Sequence, residues 1–434
     1  MAQVTAEKPR VIILTNLTDF SSSYSIGRVA LLQVAMLKRR GHEVRVLCCE
    51  NFNPHDKARA DDEIFTYDGP AVPLHCYRTT EGPRDEWVGQ VALFEQAYEE
   101  AVAGYDVVIT HDLMFQDTHL PMNEGVRKVI ERNPDKIWLH WVHSGPSQPP
   151  HGLQYPSTLR YSAADHSTYI FLNNGDRQNF ANMIGARPGV VKICGNPIDI
   201  RESYGFSQET RDLITRYDLM SVSVLQSYPF SVGRWRDKGI RQLVRIFAQW
   251  KRDGHTAKLL LINAHSNGEG ISHARDIEAY AKKHGLVADE DLILTSRYAE
   301  ENRGVTGVKN WDYSVPKYVV DEIARIASIF IFPSISECCS LVQGEAALAR
   351  QFVVLNSDFP PMLEFADKSV PSFEFTRNNP DDPNSPYYEA VAKEIWGRFC
   401  DDPAIQNSIY GVNFAYNEEA IWRDQFEPLL YRVC

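Results

Sequence analysis

The chain has 434 residues, 44% hydrophobic and 24% charged, enough apolar material for about two or three cored domains and unlike a disordered or fibrous chain. The formal charge is −12 and neither half is basic, which argues against duplex nucleic acid or an anionic membrane as an obligatory partner. No apolar run approaches a membrane span, the polar start lacks a signal or transit pattern, and the eight cysteines lack the spacing of a zinc or redox site; reduced thiols in a cytoplasm are expected.

Strands and helices alternate along the chain. Residues 11–15 form a continuous apolar run, as in a strand covered on both faces. A helix follows from about Ser25 to Arg40, with Gly41 at the left-handed position after its end. The run Lys38-Arg39-Arg40 suits the negative end of that helix dipole, and a solvated structural role is preferred there to a binding patch. Segments 43–47, 106–110, 138–143, 169–172 and 190–193 read as further strands.

A second series opens with a strand over 221–225. Ile240, Leu243, Val244, Phe247 and Trp250 then mark one helix face, with Arg241, Arg245 and Lys251 elsewhere around it and Gly254 as the stop. Strand 258–262, helix 272–284, strand 292–295, helix 316–327 and strand 329–332 follow, and 378–386 reads as a loop. Alternation of this kind predicts parallel sheets covered on both faces, with too many strands for one sheet. The expected architecture is α/β, with two doubly wound Rossmann-like domains, 1–200 and 201–417, joined near Asn196–Ile200.

Glu337 and Glu345 stand eight apart beyond the last of these strands. On one helix they would lie about 80° apart. Pro333 breaks the strand, and Ser340 followed by Gln343 forms a capping box, so the helix is predicted to start at Ser340. Glu337 then lies in the preceding loop and Glu345 in the second helical turn, both at the carboxyl ends of the strands where open α/β sheets bind ligands. The helix start suits a phosphate, whereas carboxylates suit hydroxyls, two oxygens matching a vicinal diol. The segment therefore reads as a site for phosphate flanked by sugars, a nucleotide-sugar; chance spacing is the rival reading. Upstream, Val232–Ile240 follows the first strand of the second series and opens a helix. Its Arg234 and Lys238, with Gly233 and Gly239 allowing close backbone approach, could neutralise a diphosphate; a solvated basic loop is the alternative.

With these motifs in place, the chain resembles the retaining GT-B glycosyltransferases of the glycogen-synthase-like family four, over nearly its whole length. Glu337…Glu345-Ala346 is similar to that family's Glu-x7-Glu motif, and Gly233-Arg234…Lys238-Gly239 to its diphosphate motif. Gly27 and Arg40–Val44 resemble its N-terminal loop and following element, His111-Asp112 a His-Asp strand end, and Trp141-Val142-His143-Ser144 the element with its sugar-contacting histidine. Asn196–Asp199 resembles the domain-closing element, and residues 420–426 the last helix, so that about 418–434 is expected to cross back onto the first domain. The departures are Cys338-Cys339-Ser340 where the family has Gly-Phe-Gly, Arg350–Phe352 before the next strand, and a single glycine in the first loop. Segment 297–308 falls where the family reads the nucleobase.

The resemblance implies sugar transfer from a nucleotide diphosphate sugar, UDP- or GDP-type, to an acceptor hydroxyl with anomeric retention. Arg234, Lys238, Glu337 and His143 would be catalytic; Glu345, Cys339, Ser340, Leu341 and Gly27 would bind the donor; no metal or other cofactor is implied. Tyr24, His111 and Asp112 are candidates on the acceptor side, and His140 is read as structural. Acceptor loops are expected at 19–25, 55–70 and 144–159, carrying Tyr24, Tyr67 and Tyr155, and a neutral glycan or small molecule is preferred as the acceptor. Hydroxymethylated bases of viral DNA are the alternative acceptor and would need Arg28, Lys38, Arg39 and Arg40 to gather. A GT-B epimerase or phosphorylase, or a silent nucleotide-sugar-binding subunit, are the rival functions. Stable membrane insertion is not expected, and no oligomeric state is read from the sequence.

Overall fold

A computed structural model describes residues 8–20, 25–61, 63–71, 81–144, 149, 151–262, 268–297, 315–335, 341–364, 366–382, 385–409 and 416–431. The chain divides into two compact units, Met1–Ile198 with Glu418–Cys434, and Asp199–Asn417.

Unit 1 is built on seven strands: β1 Val11–Leu14, β2 Val44–Cys49, β3 Phe65–Gly69, β4 Val107–His111, β5 Ile137–Val142, β6 Ser167–Phe171 and β7 Val191–Ile193. Their order is β3-β2-β1-β4-β5-β6-β7, and every neighbouring pair is parallel. Successive strand residues feed opposite faces. Val11, Ile13, Leu139 and Trp141 join one core, and Ile12, Leu14, Trp138 and Val142 join the other. Both faces are apolar, which is why these strands read as unbroken hydrophobic runs.

Four elements of this unit differ from expectation. Segment 55–70, expected as a loop, holds the short helix Pro54–Lys57 and β3, so Tyr67 is a strand residue, with the Lys57 ammonium 4.6 Å from its ring centre. The helices Trp87–Val102 and Leu120–Arg132 were not legible. The first exposes Val88 and Leu93 while burying Val91, Phe94 and Tyr98, so its apolar residues do not form one stripe.

The C-terminal segment belongs to this unit as one helical turn Glu418–Ile421, a wider turn Trp422–Phe426 and a tighter one Glu427–Leu430. Ile421, Trp422, Phe426 and Leu430 are buried in the same core as Trp141, whose ring centre lies 5.4 Å from that of Phe426. Each buried side chain of this size contributes roughly 1.5–3 kcal/mol, so apolar burial dominates the attachment. Charge then fixes its register. Glu418, 3% exposed, pairs with Arg39 and, at 3.4 Å, with Arg40, which also pairs with Glu419 and lies 4.4 Å over the Trp422 ring. Lys38 pairs with Asp61 at 3.0 Å. The basic run is thus engaged by carboxylates of its own chain.

Unit 2 carries two half-sheets. One has β8 Val224–Pro229, β9 Ala257–Ile262 and β10 Leu292–Leu294 in the order β10-β9-β8; the other has β11 Ile329–Phe332, β12 Phe352–Asn356 and β13 Ser372–Phe373 in the order β11-β12-β13. They abut between β8 and β11. Ser328 N–H donates to the Leu225 carbonyl at 2.9 Å, and the fully buried Gln226 amide donates to the Ile331 carbonyl at 2.8 Å and accepts from the Ile331 N–H at 3.2 Å. A side chain here replaces a backbone rung. This also corrects the expected strand at 221–225: Gln226 and Ser227 interrupt the apolar run but lie inside the strand, and the polar atoms of the Gln226 amide are satisfied there.

Strand order therefore reverses between β1 and β4 in unit 1 and between β8 and β11 in unit 2. These are the switch points at which open α/β sheets form crevices. The helix Ile240–Arg252 carries one further correction. Arg245, expected away from the core, is 6% exposed; its guanidinium donates to the carbonyls of Pro380 (2.7 Å) and Asp382 (3.2 Å). Among the described residues no helix is long and apolar enough to cross a membrane. Burial pushes the Cys48, Cys49 and Cys194 thiols up to about 12, which makes them poor nucleophiles.

Candidate functional site

In unit 2 the two motif-bearing loops meet at the β8/β11 switch point. After β8 the chain makes a tight turn, Val232–Arg234, and the Lys238 N–H donates to the Arg234 carbonyl at 2.9 Å. The Tyr228 hydroxyl donates to the Lys238 carbonyl at 2.9 Å, pinning this loop to β8. Gly239 then takes the left-handed conformation, φ +74°, at the start of the helix Ile240–Arg252. A Cβ at Gly239 would lie 2.5 Å from Pro333 Cγ, so only glycine lets the loop press on the residue that ends β11. The Ile335 N–H donates to the Asp237 carbonyl at 3.0 Å, and the Ser334 hydroxyl to the same oxygen at 3.4 Å. Gly233, by contrast, would bring a Cβ against nothing within 4 Å.

Arg234 is exposed and Lys238 half-buried. Desolvation, and then the neighbouring Arg234 charge, hold the Lys238 ammonium below the usual lysine range, while Asp237 opposes the shift. Two cations on one short loop, one of them partly dehydrated, suit a polyanion.

The helix beyond β11 runs Leu341–Leu348 and carries Glu345 in its second turn. Glu345 Oε1 lies 3.0 Å from Lys317 Nζ, and the Glu345 side chain is 33% exposed. It lines a groove of about 450 Å³ with Pro229, Lys317, Phe330, Val342 and Ala346. Leu341 is the first helical residue and its side chain is largely exposed. Gln343 is buried, and its amide donates to the Met362 carbonyl at 3.2 Å; Ser340, its expected partner in the capping box, lies outside the described residues. Glu337, Cys339, Ser340 and Tyr24 lie outside the described residues.

In unit 1 the sequence candidates converge at the β1/β4 switch point and on β5. His111 ends β4 and Asp112 follows in the left-handed region, φ 53°, which aspartate tolerates better than most residues. Asp112 Oδ1 accepts from the His143 backbone N–H at 2.7 Å, and Oδ2 from Gln116 at 3.0 Å and Ser144 at 3.4 Å. His111 Nδ1 is 2.9 Å from His143 Nε2. His111 and Asp112 are buried, at 0% and 2% exposure, whereas His143 is partly exposed. Both are hydrogen-bonded to His143, His111 to its ring and Asp112 to its backbone N–H. Burial lowers the pKa of His143, with the Asp112 charge opposing. Gly27 is buried in the first turn of the helix Ser25–Arg39.

His140 is fully buried between Thr110 Oγ1 (2.9 Å) and Ser167 Oγ (3.1 Å), and burial, followed by the Arg127 charge, lowers its pKa to about 3. Sequence reasoning missed Gln33, whose Oε1 is 3.1 Å from His111 Nε2. A signal existed: Gln33 interrupts the buried stripe of Val29, Ala30, Val34 and Leu37. Tyr155, expected on an acceptor loop, is 42% exposed, and its hydroxyl accepts from the Trp87 indole at 2.9 Å and donates to Glu124. Among the described residues no group of three metal-ligating side chains is assembled.

No family model and no curated protein matches the sequence. Among solved structures the chain is similar to a glycosyltransferase from Rickettsia africae, at 12% identity over 98% of each chain with a TM-score of 0.36. It is also similar to a sucrose-phosphate synthase from Thermosynechococcus elongatus, at 16% identity over 96% of this chain and 98% of that one, TM-score 0.35. A third similar structure is HepE from Anabaena in complex with UDP, at 14% identity over 97% of this chain and 99% of that one, TM-score 0.33.

Proposed function

We propose that the chain is a retaining glycosyltransferase of the GT-B type, using a nucleotide diphosphate sugar of UDP or GDP type and a hydroxyl acceptor on a glycan or small molecule. One observation carries the reading: the loop bearing Arg234 and Lys238 is hydrogen-bonded, through Asp237, to the turn that leads from β11 toward the helix bearing Glu345. Cations for a diphosphate and a carboxylate for a diol then belong to one switch point, and the ligand needing both is a nucleotide.

In the reaction the bond from the anomeric carbon to the diphosphate oxygen breaks and its electron pair leaves with the diphosphate. The acceptor oxygen bonds to the same carbon on the same face, and the acceptor proton goes to the leaving phosphate. Arg234 and Lys238 neutralise the charge that develops. Glu337 and His143 hold donor-sugar hydroxyls, Glu345 the ribose diol, and unit 1 reads the acceptor. Incubation with nucleotide-sugars and simple glycan acceptors tests the reading: release of nucleotide diphosphate together with a new glycoside of retained anomeric configuration by NMR is expected. Release of nothing, or an inverted product, overturns it.

Two further results are expected. Glu345→Ala weakens binding of the isolated nucleotide diphosphate about ten- to a hundredfold, the scale of a charge-assisted hydrogen-bond pair. Titration calorimetry of wild type and variant measures it, and equal affinity removes Glu345 from the ribose. Because lysine and arginine do the neutralising, transfer persists in excess chelator. Loss on chelation, restored by magnesium or manganese, would reassign the diphosphate site to a metal.

A further inference from the structure

Three side chains of unit 1 form a line that ends at His143. Gln33, 1% exposed on the helix Ser25–Arg39, presents its amide oxygen to His111 Nε2 at 3.1 Å. His111 Nδ1 in turn meets His143 Nε2 at 2.9 Å, with the two ring planes inclined by 24°. The protons along this line are determined by chemistry. An amide oxygen only accepts, so His111 Nε2 carries the hydrogen. His111 is fully buried, and burial holds its pKa well below the ordinary histidine value, so it keeps a single N–H and Nδ1 is bare. The atom facing that lone pair, His143 Nε2, must then bring the hydrogen. A neutral imidazole has one, so His143 Nδ1 is left as a pure acceptor.

We propose that Gln33 and His111 are positioning residues that lock His143 in the Nε2–H tautomer, so that it offers its ligand a lone pair and no donor. The inference deepens the glycosyl-transfer reading and rests on it for the identity of the ligand. An acceptor-only nitrogen takes a hydroxyl O–H and disfavours an anionic or carbonyl oxygen, so it selects a sugar hydroxyl over a phosphate. The Asp112 carboxylate, on the His143 backbone N–H at 2.7 Å, holds the ring's base without competing for its nitrogens.

The test is nitrogen-15 NMR of the full chain, labelled in histidine, at neutral pH. In wild type His111 and His143 are both expected to show an N–H-bearing Nε2 and a bare Nδ1. Gln33→Met keeps the volume but removes the acceptor, so the second tautomer should appear in both rings together. It should also lower kcat for sugar transfer about two- to tenfold, the scale of one neutral hydrogen bond, with affinity for the isolated nucleotide diphosphate unchanged. A purely packing role for Gln33 would not move the two rings in concert. A hydrogen on His143 Nδ1 in wild type overturns the proposal even if the variant does not fold. A Gln33→Met spectrum identical to wild type overturns it as well. The expected tautomers in a protein that transfers no sugar would support the relay and count against the reading of its ligand.

Discussion

Lys238→Ala lowers kcat for sugar transfer about 10²- to 10³-fold, the cost of removing one preorganised charge-stabilising group from a leaving anion. The backbone that carries Lys238 is held independently of its side chain, by its N–H on the Arg234 carbonyl and its carbonyl under the Tyr228 hydroxyl. Truncation should therefore remove the ammonium and leave the loop in place, which circular dichroism and thermal unfolding would verify. Lys238 is partly dehydrated, and the charge of an incoming diphosphate compensates both that desolvation and the repulsion from Arg234. Its lowered pKa also sets a sign. The ammonium is present at neutral pH and is lost as pH rises, so the alkaline fall in diphosphate affinity begins below the ordinary lysine range and disappears in the variant. A rate unchanged by Lys238→Ala would show that this loop does not meet the leaving group.

Gly239→Ala destabilises the protein by about 2–5 kcal/mol, combining roughly 1–2 for a left-handed backbone with a side chain and roughly 1–3 for overpacking. The added methyl would lie 2.5 Å from Pro333 Cγ, 2.8 Å from its Cβ and 2.9 Å from its carbonyl oxygen. None of these atoms is the far end of a flexible side chain, so the loop or the β11 end must shift, and nucleotide-diphosphate affinity should fall with stability. Gly233→Ala is the internal contrast. A methyl there meets nothing within 4 Å, so stability should change little. If a diphosphate does approach this backbone, Gly233→Ala weakens its binding while leaving the unfolding midpoint in place. Urea unfolding and calorimetry on the two variants separate a glycine required by the fold from one required by a ligand. A stable Gly239→Ala protein that binds normally would refute the close packing of the two loops.

Local chemistry carried much of this molecule into view. Strands buried on both faces are continuous apolar runs, so β1, β4, β5, β9 and β11 were legible within a residue or two at each end. Gly239 beside two cations, and a proline break followed by a helix with a glutamate in its second turn, marked the loops of unit 2 because each feature is local in sequence. Polar atoms with distant partners were not legible. Gln226 counts as a strand residue only because Ile331, 105 positions away, satisfies its amide. Arg245 is buried only because the carbonyls of Pro380 and Asp382 cover it. The Lys38-Arg39-Arg40 run reads as a solvated patch until Glu418, 378 residues beyond Arg40, reaches it. Gln33, His111 and His143 likewise come from a helix, the end of one strand and the residue after another, and nothing in their spacing announces a line of hydrogen bonds. The sequence by itself determined most of the apolar strands and where the two motif-bearing loops fall, because periodicity and turn chemistry act over a few residues. Only the tertiary structure decided which buried polar groups are satisfied and by whom, because a hydrogen bond depends on distance in space and leaves no periodic trace along the chain.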